Sequence, residues 1–170
     1  GNMGLIGNTP LAGKQPRLSP EEEKYLFDAG ISYLSNGAPE AAYYCLDRII
    51  APDLPQLFNK ALCCYLSGWY EECHRLLGEA ELYLPAVPFR QEALPSPLSA
   101  NACNDRLHLC PMPRGVPQEL ARTQLLRLKA ETAFRLQLYG EVKAIAASLQ
   151  KPYQHIEKLI KQISYDTEGN

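Results

Sequence analysis

Residues 57–85, LFNKALCCYLSGWYEECHRLLGEAELYLP, decide the fold. Asp53 and Pro55 start a helix that Gly68 ends, and a second helix runs over residues 70–83 until Pro85 closes it. An aspartate ahead of a proline supplies an N-terminal cap, and glycine is the residue that leaves a helix most cheaply. A turn this short makes the two helices antiparallel neighbours. Ala61, Cys73 and Ala80 are small where the helices must approach, while Leu57 and Leu77 are large where the pair must fill its own core.

The same logic recurs upstream at a fixed offset. Gly30 and Ala61, Gly37 and Gly68, Ala42 and Cys73, and Leu46 and Leu77 are each 31 residues apart. Ser19-Pro20-Glu21-Glu22 opens the first helix with a capping box and a proline at the first helical position. That helix stops at Asn36-Gly37, and a second covers residues 39–50 before Ala51-Pro52. Downstream, Leu126, Ala130, Ala133, Tyr139, Val142, Ala146 and Leu149 form a third copy, with Gln137 where the turn glycine would stand. Ala61 and Ala130 are 69 residues apart, about two periods, so a repeat-length stretch separates copies two and three. Residues 85–117 hold seven of the 14 prolines, too many for two ordinary helices. That stretch is expected to be an insert with one short helix over residues 100–109.

Residues 153–163 place Ile156, Leu159, Ile160 and Ile163 on one face, with Glu157, Lys158 and Lys161 opposite. This is an amphipathic helix suited to cover the open end of a stack. The organisation follows: an N-terminal arm over 1–18, one helical domain over 19–164 and a tail over 165–170. Within the domain lie repeats over about 22–52, 54–85 and 122–151, an insert over 86–118 and a capping helix over 152–164.

The stretch Leu57, Ala61, Gly68-Trp69-Tyr70, Cys73, Leu77, Ala80 and Pro85 resembles a tetratricopeptide repeat; residues 26–52 and 126–149 resemble it more loosely. The resemblance implies an all-α fold, a right-handed superhelical array of antiparallel helix pairs. It also implies a concave face, lined by the first helix of each pair, that holds a partner peptide. The matching positions are Phe27, Ile31, Leu34 and Ser35, then Phe58, Asn59, Leu62, Tyr65 and Leu66, then Arg127, Glu131, Phe134 and Arg135. A mostly apolar lining favours a protein or peptide with hydrophobic anchors. The family's carboxylate clamp is matched only at Asn59, since Phe27, Ile31, Gln124 and Leu128 stand at its other positions.

The formal net charge of −2 argues against a general nucleic-acid binder, which needs a basic surface. No apolar run is long enough to span a membrane. The chain opens Gly1-Asn2-Met3, which points to processing or to a longer parent. Six cysteines, at 45, 63, 64, 73, 103 and 110, accompany a core of ordinary size, so free thiols in a cytoplasmic protein are expected.

Cys103, His108 and Cys110 are the one grouping that resembles metal ligands, but the two cysteines are seven apart and a fourth ligand is missing. The same two cysteines could instead form a disulfide. Cys73 and His74 are adjacent on a helix and point about 100° apart, which disfavours a nucleophile–base pair. No phosphate loop, nucleophile elbow or paired-histidine motif occurs. The function expected is therefore a non-enzymatic, cofactor-free scaffold or adaptor, chaperone-like in holding a peptide and with room for a homodimer. The alternatives are a metal- or redox-responsive module using the cysteine/histidine insert, or a structural domain of a larger chain.

Overall fold

Helix starts follow the local chemistry. The computed structural model describes residues 17–85 and 104–168. Helix α1 (Pro20–Ser35) begins on a complete capping box: Glu22 N–H donates to Ser19 Oγ at 3.1 Å, and Ser19 N–H donates to Glu22 Oε1 at 2.9 Å. These bonds hold the Glu22 carboxyl below its ordinary range. Helix α2 is Pro39–Asp47, and α3 (Leu54–Leu66) starts on Asp53, whose Oδ1 accepts from Gln56 N–H at 2.9 Å. Helix α4 (Tyr70–Glu81) follows, then a 3₁₀ turn (Leu107–Leu109), α5 (Gln118–Arg135), α6 (Tyr139–Ser148) and α7 (Gln154–Glu168). The described residues are thus all-α, with no strand, and no helix among them is long and apolar enough to cross a membrane.

Three of the inter-helix turns are built alike. Ala38, Trp69 and Leu138 each donate their N–H to the carbonyl five residues back, on Tyr33, Cys64 and Ala133, at 2.8 Å in every case. The residue just before each donor is left-handed: Gly37 at φ 76°, Gly68 at φ 82° and Gln137 at φ 61°. This is the helix stop that glycine serves best, because a side chain there crowds the following carbonyl by roughly 1–2 kcal/mol. Gln137 therefore takes the geometry of the glycines without their freedom.

Consecutive helices pack side by side, and α4 meets α5 directly despite the long connection between them. The odd-numbered helices also touch in order, α1 to α3, α3 to α5 and α5 to α7. One core runs through the set, from Leu26 and Phe27 through Phe58, Leu62 and Leu77 to Leu128, Val142 and Ile163. Gly30 marks the tightest crossing: a Cβ there would lie 2.7 Å from Leu46 Cγ. Ala61 and Ala130, the matching small residues, are wholly buried. Helix α5 is buried on several faces because α3, α4, α6, α7 and the 3₁₀ turn all pack on it.

Several boundaries differ from the sequence expectation. Helix α2 stops at Asp47, and just beyond it the Leu46 carbonyl accepts from Ile49 N–H at 3.2 Å and from the buried Gln56 amide at 3.0 Å. The same amide reaches the Ile49 carbonyl at 3.3 Å. The short helix expected over 100–109 is a single 3₁₀ turn, Leu107–Leu109. Helix α5 begins at Gln118, inside the expected insert, and α7 runs on to Glu168, into the expected tail. Most of the N-terminal arm and residues 86–103 of the insert lie outside the described residues.

Candidate functional site

The second half of the insert, residues 104–116, is tied to all four odd-numbered helices. At α7, His155 N–H donates to Asp105 Oδ1 at 2.8 Å, which caps that helix from a distant part of the chain. At α5, Arg127 Nη2 donates to the Asn104 carbonyl at 2.7 Å, and Gln124 Nε2 to the carbonyls of Leu107 and Cys110 at 3.1 and 2.9 Å. At α3, Asn59 grips Met112 from both sides: Nδ2 donates to the Met112 carbonyl at 2.9 Å, and the Met112 N–H donates to Oδ1 at 2.8 Å. At α1, the Arg114 guanidinium lies 4.4 Å from the Phe27 ring centroid, and its Nε sits 3.3 Å from Asp53 Oδ2. Met112 itself is fully buried and joins the common core.

These bonds account for buried polar side chains on otherwise apolar helix faces. Asn59 is 0% and Gln124 2% exposed, and a buried amide without partners costs about 1–3 kcal/mol. Asn59 instead satisfies both main-chain groups of Met112, and Gln124 reaches the carbonyls of Leu107, in the 3₁₀ turn, and Cys110.

Of the residues expected to line a groove, Phe27, Leu34, Phe58, Asn59 and Leu62 are buried, and the chain's own Met112 and Arg114 lie on Asn59 and Phe27. Ile31 is half-buried. Tyr65 is half-buried against Tyr70 and Arg135, and Phe134 against Tyr139. Of the thirteen, Ser35, Leu66 and Arg135 are exposed, Leu66 at 46%.

Arg127 and Glu131 belong instead to a buried polar cluster with His108 and His155. Arg127 is 0% exposed and donates from Nε to His155 Nε2 at 2.9 Å. An arginine can only donate, so His155 carries its proton on Nδ1 and gives it to Glu131 Oε2 at 2.6 Å. The Arg127 guanidinium also lies 4.2 Å from the Tyr153 ring centroid. His108 stacks on His155, with centroids 3.8 Å apart and planes 8° from parallel. Its Nδ1 is buried without a partner. Burial, then the adjacent His155, Arg127 and Arg106, push the His108 pKa down to about 2. Glu131 at 3.9 Å would favour the charged form, but that oxygen is already committed to His155.

His108 is thus a buried ring stacked on His155. Donor atoms of His108, Glu131 and His155 lie within 4.8 Å of one another. They do not suit a cation: stacked rings hold their lone pairs in parallel planes, and a guanidinium already sits among them. Cys110 is a free thiol whose Sγ donates to the Arg106 carbonyl at 3.4 Å, and Cys103, its expected counterpart, lies outside the described residues. Burial pushes the thiols of Cys63 and Cys73 up to about 12 and that of Cys64 up to about 11, far from the thiolate that redox or nucleophilic chemistry needs. Cys73 bonds Thr132 at 3.3 Å while His74 faces Glu141 at 2.9 Å, so the two neighbours serve different partners.

The sequence carried a signal for this arrangement that the groove expectation overrode. Asn59, Gln124 and Arg127 each interrupt an apolar helix face, and buried polar groups require partners. No family model, curated protein or solved structure matches the chain.

Proposed function

We propose that this chain is a non-catalytic protein-interaction module, a right-handed superhelical array of tetratricopeptide type whose odd-helix face holds an extended peptide. One observation carries the reading. Asn59 and Gln124 make three hydrogen bonds to main-chain groups of Cys110 and Met112. Main-chain contacts recognise an extended strand whatever its side chains, as peptide-binding faces do. The three alike turns and the buried small residues at 30, 61 and 130 support the repeat architecture.

A direct test is panning a displayed decapeptide library against the full chain carrying Met112→Ala and Arg114→Ala. Recovered peptides should lose binding when Asn59→Ala is added. Recovery only of peptides indifferent to Asn59 would remove this face from the function. Full burial of Met112 favours a second reading, a structural domain that fills its own groove permanently. An empty selection on the folded variant would favour it.

A further inference from the structure

The geometry points to a docking face that the chain occupies in cis: residues 110–114, Cys-Pro-Met-Pro-Arg, stand in for a partner peptide bearing a long unbranched apolar residue, then proline, then a basic residue, and that partner binds by displacing them. This inference rests on the reading of the odd-helix face as a peptide receptor.

The segment is attached at two separate places. Residues 104–108 are tied by Arg127 on the Asn104 carbonyl, by Asp105 on α7, and by His108 stacked on His155. Residues 110–114 are held by the Gln124 bond to the Cys110 carbonyl, the Asn59 clamp, the Met112 side chain and a half-exposed contact of Arg114 with Phe27 and Asp53. Beyond them Gly115 sits at φ 83°, a conformation that lets the chain turn sharply back towards α5. Release of residues 110–114 at Gly115 would leave the attachments of residues 104–108 in place.

Selectivity is also written in residues 110–114. The Asn59 amide accepts one N–H and donates to one C=O of the same residue, so that residue cannot be proline. Prolines at 111 and 113 flank it and hold the backbone extended before binding, which lowers the entropy lost on docking. Cys110, ahead of Pro111, is already extended at φ −100°, ψ 148°. The site at Met112 is apolar and fully enclosed, which suits a flexible unbranched side chain. Two residues on, the Phe27 face and the Asp53 carboxylate select a cation, and guanidinium fits both by stacking and pairing.

A synthetic peptide of residues 107–116, with Cys110→Ser and a fluorophore, is the probe. Anisotropy is followed with the wild-type chain, with Met112→Ala/Arg114→Ala, and with that pair plus Asn59→Ala. The double variant should bind at least ~10-fold tighter than wild type, because a resident segment lowers apparent affinity by the fraction of closed chains. Adding Asn59→Ala should reverse the gain, and a probe with Arg114→Glu should bind at least ~10-fold more weakly.

Native-state hydrogen exchange of the wild-type chain gives an independent reading. The Met112 amide should exchange at least ~10-fold faster than the slowest amides of α3 and α5, which marks local opening. Exchange of that amide only through global unfolding overturns displacement, and decides the matter even where the double variant fails to fold. Asn59-dependent binding by the double variant, combined with such exchange, keeps the face as a peptide receptor and overturns the cis–trans competition alone. A folded double variant that ignores the probe overturns both readings.

Discussion

Acid should weaken this fold through one residue, His108. Its ring is 3% exposed and is faced by His155 from α7, by Arg127 and Glu131 from α5, and by Arg106 from its own segment. The folded chain keeps it neutral down to about pH 2, whereas the unfolded chain protonates it near 6.5. Between those values the unfolded state binds one more proton, so stability falls as pH falls and is fully retained only above 6.5. The slope is about 1.4 kcal/mol per pH unit, which amounts to about 2 kcal/mol by pH 5. That is a sizeable share of the ~5–15 kcal/mol that holds an ordinary domain together.

Urea unfolding at pH 7 and pH 5, followed by circular dichroism, measures this loss. His108→Phe preserves an aromatic ring against His155, removes the buried unpartnered nitrogen, and should flatten the response by about 2 kcal/mol. The Glu22 and Glu72 carboxyls, held below their ordinary range by Ser19 and Arg75, lose their contribution at lower pH and equally in both chains. Equal losses in wild type and His108→Phe would refute the reasoning.

Four further perturbations follow from the turns, crossings and clamp. Gln137→Gly should stabilise the chain by about 1 kcal/mol, raising the melting temperature by a few degrees, since φ 61° burdens glutamine and not glycine. Gly30→Ala should destabilise by about 1–3 kcal/mol in the same melt, because its Cβ would press on Leu46. Gly78→Ala, with nothing within 4 Å, should instead gain about 0.5–1 kcal/mol. Asn59→Leu strands both polar groups of Met112 and should cost about 2–5 kcal/mol by urea titration.

Local signals made the helices legible. Ser19, Glu22 and Asp53 cap as their spacing predicts, and Gly37 and Gly68 turn the chain where the apolar pattern breaks. Gln137 was legible only by register, since nothing in a glutamine announces a left-handed backbone. The site was misjudged for a physical reason. Periodicity identifies which helix face is apolar, but not what covers it. Phe58 and Leu62 look the same from the sequence whether they line an open groove or a filled core. The structure puts Leu62 at 0% exposed, so a charge placed there would report on folding rather than on binding. The polar residues at 59, 124 and 127 were the better guide, because their partners had to come from somewhere.

The order of the chain gives the Asn59–Met112 clamp a temporal meaning. Synthesis completes α1 to α4 first, and their exposed face then waits for residues 104–116 before α5 exists to close the core. At about 5–20 residues per second, that interval is on the order of seconds. For that time Asn59 lacks its Met112 partner, and the tethered segment arrives at high local concentration. Vectorial emergence thus gives the tethered segment first occupancy of the face, and a later partner meets it already filled.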